Sequence, residues 1–251
     1  MIFTEEDKQK QRRFAELAER SYMNGRHTFT DFLGMSELDL LLRMKSELDY
    51  AGITLFGGTD GCERVIARFG EDDGTDDFPI VCVEAKPAEQ KFADPLTHRD
   101  LLGALMNLEI AREKIGDIFL QNNVAYLFCS PSVAPVILSE LKKAKHTTLR
   151  CSVVEALPDG VSGKTEEKFL QVASLRADVL VAGVFKLSRE ESLELFRAHR
   201  VFADGRLLEN NSAAVAEGQT LSVRGFGRFR FQAVHSMSKK GKYNITVEIS
   251  V

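Results

Sequence analysis

Two spacings of apolar residues occur along this chain, and they predict where its helices and strands lie. In the first fifty residues the apolar positions recur at helical spacing, as in Leu38, Leu41 and Leu42. This pattern predicts two helices, over residues 5–20 and 36–49, each with a polar outer face. The N-terminal part of the chain is therefore expected to be helical.

From residue 53 onward, short runs rich in β-branched and aromatic residues alternate with longer helical patterns. These runs predict strands at 53–56, 64–69, 80–84, 118–120, 124–129 and 148–154, and helices at 97–115 and 133–145. Strands and helices in this order are typical of a sheet with helices on one face. We therefore expect the α+β fold class, with an RNA-recognition-like (ferredoxin-like) sandwich after the helical segment.

A cluster of Pro, Gly, Ser and Asp at 157–164 predicts a domain boundary. Beyond it, the pattern predicts helices at 175–185 and 189–200 and strands at 201–203, 220–224 and 244–251. Asp204-Gly205 predicts a tight hairpin, because both positions of such a turn need a positive φ. The expected segments are an N-terminal helical segment at 1–52, an RNA-recognition-like domain at 53–157, a linker at 158–173 and a small domain at 174–251.

Composition excludes several classes of protein. The 251 residues are 44% hydrophobic and 28% charged, which does not fit collagen, a coiled coil or a disordered chain. No apolar run approaches the roughly 18 residues of a membrane span, and the charged start does not resemble a signal peptide, so we expect a cytoplasmic protein. The four cysteines are widely spaced without a C-x-x-C pair, so we expect buried free thiols.

Charge is distributed unevenly along the chain. The formal net charge is −4, yet residues 174–251 contain 12 basic and 8 acidic residues. Residues 218–247 contain basic residues and no acidic residue. Such a run indicates either an electrostatic footprint for a polyanion or a solvated strand edge that basic residues protect from aggregation.

Catalytic motifs are incomplete or absent. Segment 98–101 copies the opening of a protein-kinase catalytic loop, but Leu105 stands where that loop needs Asn. Gly225 and Gly227 lack the third glycine of a dinucleotide loop and match only part of an RNA-recognition signature. The five histidines show no metal-ligand spacing, and no G-x-S-x-G motif occurs. We therefore expect no catalytic residue, no metal and no cofactor.

The last domain carries a recognisable set of short strings. They are Leu175-Arg176-Ala177-Asp178, Leu187-Ser188-Arg189, Asp204-Gly205-Arg206 and Ser222-Val223-Arg224-Gly225-Phe226-Gly227-Arg228-Phe229. This pattern resembles the S-four RNA-binding domain, and the last string resembles the YlmH family of bacterial S-four proteins. The central segment of that family is similar to a second set of residues in this chain: Thr97-His98, Leu102-Gly103, Ile110, Arg112 and Gly116-Asp117-Ile118. The resemblance therefore covers nearly the whole chain.

The resemblance implies a non-enzymatic protein whose S-four tail consists of two helices with a β-ribbon sheet. Family members are associated with the bacterial ribosome and linked to rescue of stalled large subunits, where the tail would contact rRNA and tRNA. We accordingly expect RNA on the large subunit as the partner, no membrane, no small-molecule substrate and a monomer.

The family pattern places Arg176, Ser188 and Arg189 on an RNA-facing helical surface, with Arg206 and Arg224 on the strands beside it. With the other basic residues of this domain, the expected RNA-binding set is Arg176, Lys186, Ser188, Arg189, Arg197, Arg200, Arg206, Arg224, Arg228, Arg230, Lys239, Lys240 and Lys242.

The chain departs from the family pattern at a few positions. His199 stands where Gly usually ends the second helix, and Asp204 where Asn usually precedes Gly; both residue types tolerate left-handed backbone. Asp204 also adds a negative charge beside the expected RNA face.

Two other functions stay open. One is an RNA-modifying enzyme, of the pseudouridine synthase or methyltransferase type, that uses the S-four domain for targeting; the other is a protein-interaction role for the acidic front domain.

Overall fold

Helix α1 (Glu5–Asn24) comes first in the computed structural model, which describes residues 4–75, 78–155, 157–158, 161 and 165–250. A capping box fixes its start, because the Thr4 hydroxyl accepts from the Asp7 amide and the Asp7 carboxylate accepts from the Thr4 amide. The helix ends at Gly25, whose φ of 58° is left-handed. None of the helices in the described ranges combines the length and apolar character that a bilayer span requires.

A three-stranded antiparallel sheet, in the order β1-β3-β2, packs beside α1. The elements of this part are β1 (Thr28–Phe29), α2 (Met35–Arg43), α3 (Lys45–Leu48), β2 (Ile53–Phe56) and β3 (Ile66–Phe69). We expected residues 53–69 to belong to the middle domain. Instead, β3 pairs with both β1 and β2, and Phe69 shares a buried cluster with Phe14 of α1. The expected boundary at residue 52 is therefore wrong, because these strands complete the N-terminal core.

The middle of the chain forms a five-stranded antiparallel sheet in the order β5-β6-β4-β8-β7. Its elements are β4 (Val81–Pro87), α4 (His98–Met106), β5 (Ile115–Gln121), β6 (Val124–Cys129), α5 (Ala134–Glu140), β7 (Lys143–Ala144) and β8 (Thr147–Val154). Apart from the short β7, the order β4-α4-β5-β6-α5-β8 is that of the ferredoxin-like split βαβ arrangement. Both helices pack on one face of this sheet.

Both middle helices are shorter than the apolar spacing predicts. The chain leaves α4 after Met106, and Glu109 takes a left-handed φ of 58°. The apolar residues that follow still enter the same core from a turn, as Ile110 does, which is why their spacing resembled a continuing helix. Residues expected in the last turn of α5 form β7, and Lys145 takes a positive φ in the hairpin to β8.

The C-terminal unit, Gly163–Val251, contains a six-stranded antiparallel sheet in the order β11-β10-β12-β13-β14-β9. Its elements are β9 (Thr165–Val172), α6 (Ala177–Phe185), α7 (Arg189–Arg197), β10 (Val201–Ala203), β11 (Arg206–Leu207), β12 (Thr220–Val223), β13 (Gly227–Met237) and β14 (Tyr243–Ser250). Helices α6 and α7 pack on one face, over a core of their own. The other unit is Met1–Ser162, and the α+β fold class is confirmed.

Strand β9 corrects the expected linker at 158–173. It pairs with β14 from Thr165 to Val172, so these residues belong to the C-terminal sheet. Alternation along β14 places Ile245 and Val247 in the core, while Thr246 and Glu248 lie on the opposite face. We call that opposite face, which points away from α6 and α7, the outer face of the sheet.

Two backbone expectations for this unit are confirmed. Asp204 and Gly205 have φ values of 47° and 79°, as the hairpin between β10 and β11 requires. His199, after α7, has a φ of 52°. Asp and His therefore serve at positions where the family usually has Asn and Gly.

Candidate nucleic-acid interface

The turn between α6 and α7 is built by a capping box. The Ser188 hydroxyl accepts from the Glu191 amide at 3.2 Å, and the Glu191 carboxylate accepts from the Ser188 amide at 2.7 Å. This backbone hydrogen bond lowers the pKa of Glu191. Lys186 turns the chain with a left-handed φ of 56°, and Arg189 begins α7. Both side chains are exposed; Lys186 follows the C-terminus of α6, and Arg189 lies at the positive N-terminal end of α7, where anions bind favourably.

The turn between β12 and β13 is held by Arg200. Its guanidinium donates to the carbonyl of Arg224 through Nε at 3.1 Å and Nη2 at 2.6 Å, and it lies 5.8 Å from the Phe226 ring centroid. Gly225 has a φ of 87°, and a Cβ there would lie 2.5 Å from Arg200 Nη2. The turn therefore needs glycine at this position.

An aromatic contact brings the two turns together. The Phe226 ring centroid lies 5.7 Å from that of Phe185, the residue before Lys186. Arg189 is four residues from Phe185 and so at most about 14 Å from it. Six of the expected residues lie at this end of the unit, which we call the basic end: Lys186, Ser188, Arg189, Arg200, Arg224 and Arg228.

Three more of the expected residues lie elsewhere in the unit. Lys239, Lys240 and Lys242 occupy the hairpin between β13 and β14, which we call the lysine hairpin. Strand β13 separates this hairpin from Arg228 by about 30 Å, at 3.3 Å per residue. The unit thus presents two separate positive patches, and sequence alone did not distinguish them.

The remaining four expected residues make contacts within the protein. Arg197 pairs with Glu190 at 2.9 Å and also with Glu194, along the outside of α7. Arg230 donates to the Gly218 carbonyl at 3.0 Å. Arg206 lies in β11, and Arg176 binds Asp178. The structure does not bring these four to the basic end. An RNA contact by Arg176, Arg206 or Arg230 stays a prediction, whereas Arg197, paired with two carboxylates, is now expected to contribute little to RNA binding.

The Arg176–Asp178 pair fixes the start of α6. Arg176 donates through Nε at 3.0 Å and Nη2 at 2.6 Å to the two carboxylate oxygens, and Asn211 donates to the same carboxylate at 3.2 Å. Burial alone would raise the pKa of Asp178, but the hydrogen bonds from Arg176 and Asn211 outweigh it and hold the pKa below its ordinary value.

Replacing Asp178 with Asn should lower the free energy of unfolding of the C-terminal unit by about 2 kcal/mol at pH 7, because a charge-assisted hydrogen bond is lost. A carboxyl with a lowered pKa stabilises the fold above its unfolded-state pKa and loses that contribution as pH falls through its folded-state pKa. The difference between the two proteins should therefore shrink below about pH 4. Urea unfolding at pH 7 and pH 3 measures it; an equal difference at both pH values would contradict this account.

Asp204 lies away from the basic end. Its carboxylate accepts from the Thr220 amide at 3.0 Å and from Gln219 at 3.1 Å, at the start of β12. Arg224 follows the other end of that strand, about 13 Å away along the chain. The negative charge that departs from the family pattern therefore does not face Arg224.

The face of the middle sheet opposite α4 and α5 is covered by the N-terminal part of the chain. Alternation along β6 turns Tyr126 and Phe128 away from α4 and α5, toward the face on which RNA-recognition domains carry their stacking aromatics. Both rings are buried, at 6% and 3% exposure, in a cluster with Phe32 and Ile66 of the N-terminal part. These two aromatics are therefore unavailable for base stacking.

The central strings similar to the YlmH family hold the first unit together. Asp117 accepts from the Glu63 amide, and Arg112 donates to the Ile115 carbonyl at 2.6 Å. Arg64 donates to the carbonyls of Phe32 and Ile115, both at 2.8 Å. These contacts tie the N-terminal part to the middle sheet, so we interpret this segment as structural.

The four cysteines are free thiols, and three of them have poor nucleophilic character. Cys82 and Cys129 are buried, and Cys62 and Cys151 are half-buried. Burial raises the pKa of Cys82 and Cys151 to about 11 and that of Cys129 to about 12, so all three are protonated near neutral pH. Among the described residues, no group of three or more His, Cys, Asp or Glu side chains could hold a metal ion.

Comparisons with known proteins show similarity to a family model, to a bacterial protein and to a solved structure. A family model described as "Putative RNA-binding domain in YlmH" matches residues 74–157. The chain is 30% identical over 227 residues to the Bacillus subtilis (strain 168) "Ribosome-associated protein quality control protein P2", covering 89% of this chain and 87% of that protein. It also matches the solved structure "Cell division protein ylmH from Streptococcus pneumoniae" with 22% sequence identity and a TM-score of 0.48. This match covers 61% of this chain and 94% of that chain.

Proposed function

The chain belongs to the YlmH family, and we propose that it is a ribosome-associated RNA-binding protein that catalyses no reaction. The C-terminal unit makes the principal RNA contact. Its partners are structured rRNA and tRNA of the large ribosomal subunit. The protein acts in the rescue or quality control of stalled large subunits, in keeping with the name of its B. subtilis relative.

The observation that carries this proposal is the meeting of two positively charged turns at one end of the C-terminal unit. The Phe185–Phe226 contact joins the turn that bears Lys186 and Arg189 to the turn that bears Arg224. Basic side chains beside a helix N-terminus bind phosphate oxygens through both charge and directed hydrogen bonds. The basic end is thus suited to a folded RNA backbone.

The arrangement of this unit also supports its assignment as an S-four domain. Two helices connected by a Ser188-capped turn pack on a sheet that contains the Asp204-Gly205 hairpin and the turn around Arg224. These are the positions of the strings that resemble the S-four pattern. Recognition through phosphates and RNA shape, rather than base sequence, follows from the predominance of arginine and lysine at the surface.

The proposal is tested by co-sedimentation with purified large ribosomal subunits over a series of salt concentrations. If about four to six phosphates are neutralised, a plot of log affinity against log salt should have a slope between about −3 and −5. No binding at low ionic strength, or binding that is independent of salt, would contradict the proposal.

A further inference from the structure

An exposed aromatic residue lies on the outer face of the C-terminal sheet, away from the basic end. Phe169 of β9 is 72% exposed. Its ring centroid lies 5.9 Å from that of His235 in β13, with a tilt of 39° between the planes. Thr246 of β14 is the cross-strand partner of Phe169 and hydrogen-bonds the His235 ring. Three neighbouring strands thus form one small aromatic platform.

Hydrogen-bonding groups continue from this platform toward the lysine hairpin. The Gln171 amide donates to the Asn244 side chain at 3.0 Å, and the Asn244 amide donates to Ser236 at 2.9 Å. The lysine hairpin begins about 13 Å from Thr246 along β14. In the opposite direction lie Glu167 and Glu248, directly paired across β9 and β14. The surface around Phe169 is therefore polar, with the lysine hairpin on one side and Glu167 and Glu248 on the other, beyond which β13 carries Arg230, the cross-strand partner of Glu248.

From this juxtaposition we infer that the outer face binds unpaired RNA, with a base stacked on Phe169 and phosphates directed toward the lysine hairpin. A nucleobase has a π face for an aromatic ring and polar edges for amides and hydroxyls. An apolar protein partner would require further exposed apolar side chains, but Thr246, Asn244 and Gln171 surround Phe169. The inference rests on the proposed RNA-binding function but concerns the part of the outer face that lies toward the lysine hairpin, whereas Arg228 of the basic end lies near the other end of β13.

The chain contains no tryptophan, so a single one placed at the platform reports on stacking directly. The probe is an unstructured oligouridylate of about 12 nucleotides, within the size of single-strand sites. In the full-length Phe169→Trp protein, fluorescence should be quenched with the same midpoint as the anisotropy change of labelled oligouridylate. The matched control is Tyr22→Trp, at an exposed aromatic of the other unit, whose fluorescence should not change.

Affinity measurements complete the test. Phe169→Ala should weaken oligouridylate binding about tenfold, while Phe169→Tyr keeps a stacking ring and should remain within about twofold of the unaltered chain. Circular dichroism checks that the variants are folded. Absence of oligouridylate binding, or of fluorescence quenching in the Phe169→Trp protein, would overturn the inference.

Ribosome co-sedimentation separates the two possible failures. A chain that co-sediments with large subunits but shows no effect at Phe169 contradicts this inference alone, whereas a chain that does not co-sediment contradicts the proposed function. If Phe169→Ala weakens ribosome binding without changing oligouridylate affinity, the face contacts protein, and the inference is overturned.

Discussion

We expect the double substitution Arg189→Ala and Arg224→Ala to lower the affinity for large ribosomal subunits by about 100-fold. Each arginine contributes about 1.5 kcal/mol through a charge-assisted hydrogen bond to phosphate, and about 1.4 kcal/mol corresponds to a tenfold change in affinity. Loss of two phosphate contacts should also reduce the salt slope by about 2. The two side chains belong to different turns that the Phe185–Phe226 contact places side by side. Co-sedimentation at fixed salt measures the change.

Arg197 provides the matched control in the same unit. It is exposed, like Arg189, but pairs with Glu190 and Glu194 on the outside of α7. Arg197→Ala should change ribosome affinity by less than about twofold, because the charge of its guanidinium is offset by two carboxylates and the residue lies outside the basic end. An equal loss of affinity in Arg197→Ala and in the double variant would mean that total charge, and not the basic end, determines binding.

We expect Phe229→Ala to destabilise the C-terminal unit by about 3 to 5 kcal/mol, the usual cost of removing a buried phenylalanine ring. Phe229 is fully buried in β13, and its ring centroid lies 5.9 Å from that of Phe185. The cavity would therefore weaken both the sheet and the support of the α6–α7 turn. Hydrogen exchange detected by mass spectrometry should show amides of residues 165–250 exchanging at least about 100-fold faster.

The faster exchange caused by Phe229→Ala should be confined to one of the two compact units. Residues 81–154 belong to a different core, so their protection from exchange should be unchanged. Phe226→Ala is the control, because Phe226 is 43% exposed and its removal should cost less than about 1 kcal/mol. Equal acceleration of exchange in both units after Phe229→Ala would contradict the division of the chain.

Much of the fold could be predicted from the properties of residues that are adjacent in sequence. The Asp204-Gly205 turn and the Thr97 helix start were predicted correctly, because a positive φ and a capping box depend on a few adjacent residues. Strand β9 was not predicted, because charged residues occupy positions that face the helices and an aromatic residue occupies a solvent-facing position. Lys168 and Glu166 lie on the side of the helices, whereas Phe169 points to the outer face. Only pairing with β14 determines that register.

The residue types of the candidate site could be predicted from the sequence, but their arrangement in space could not. The basic run after residue 218 indicated an interface, but it joins Arg224 at one end of β13 with the lysine hairpin at the other. Arg189 lies in the neighbouring α6–α7 turn, outside that run, and was indicated only by the resemblance to S-four domains. Arg224 itself lies over the ring of Phe202 in β10, 5.8 Å from the ring centroid. Contacts between residues distant in sequence, such as Phe185 with Phe226, determine which charges share a surface.

Ultraviolet crosslinking of the full chain to large ribosomal subunits that carry tRNA, with identification of the crosslinked peptides and RNA, shows directly whether the basic end binds RNA. We expect nucleotide adducts on peptides that contain Lys186 to Arg189 and Arg224 to Arg228, joined to rRNA or tRNA. Adducts confined to residues 4–155, or crosslinks to ribosomal proteins without any to RNA, would contradict this expectation.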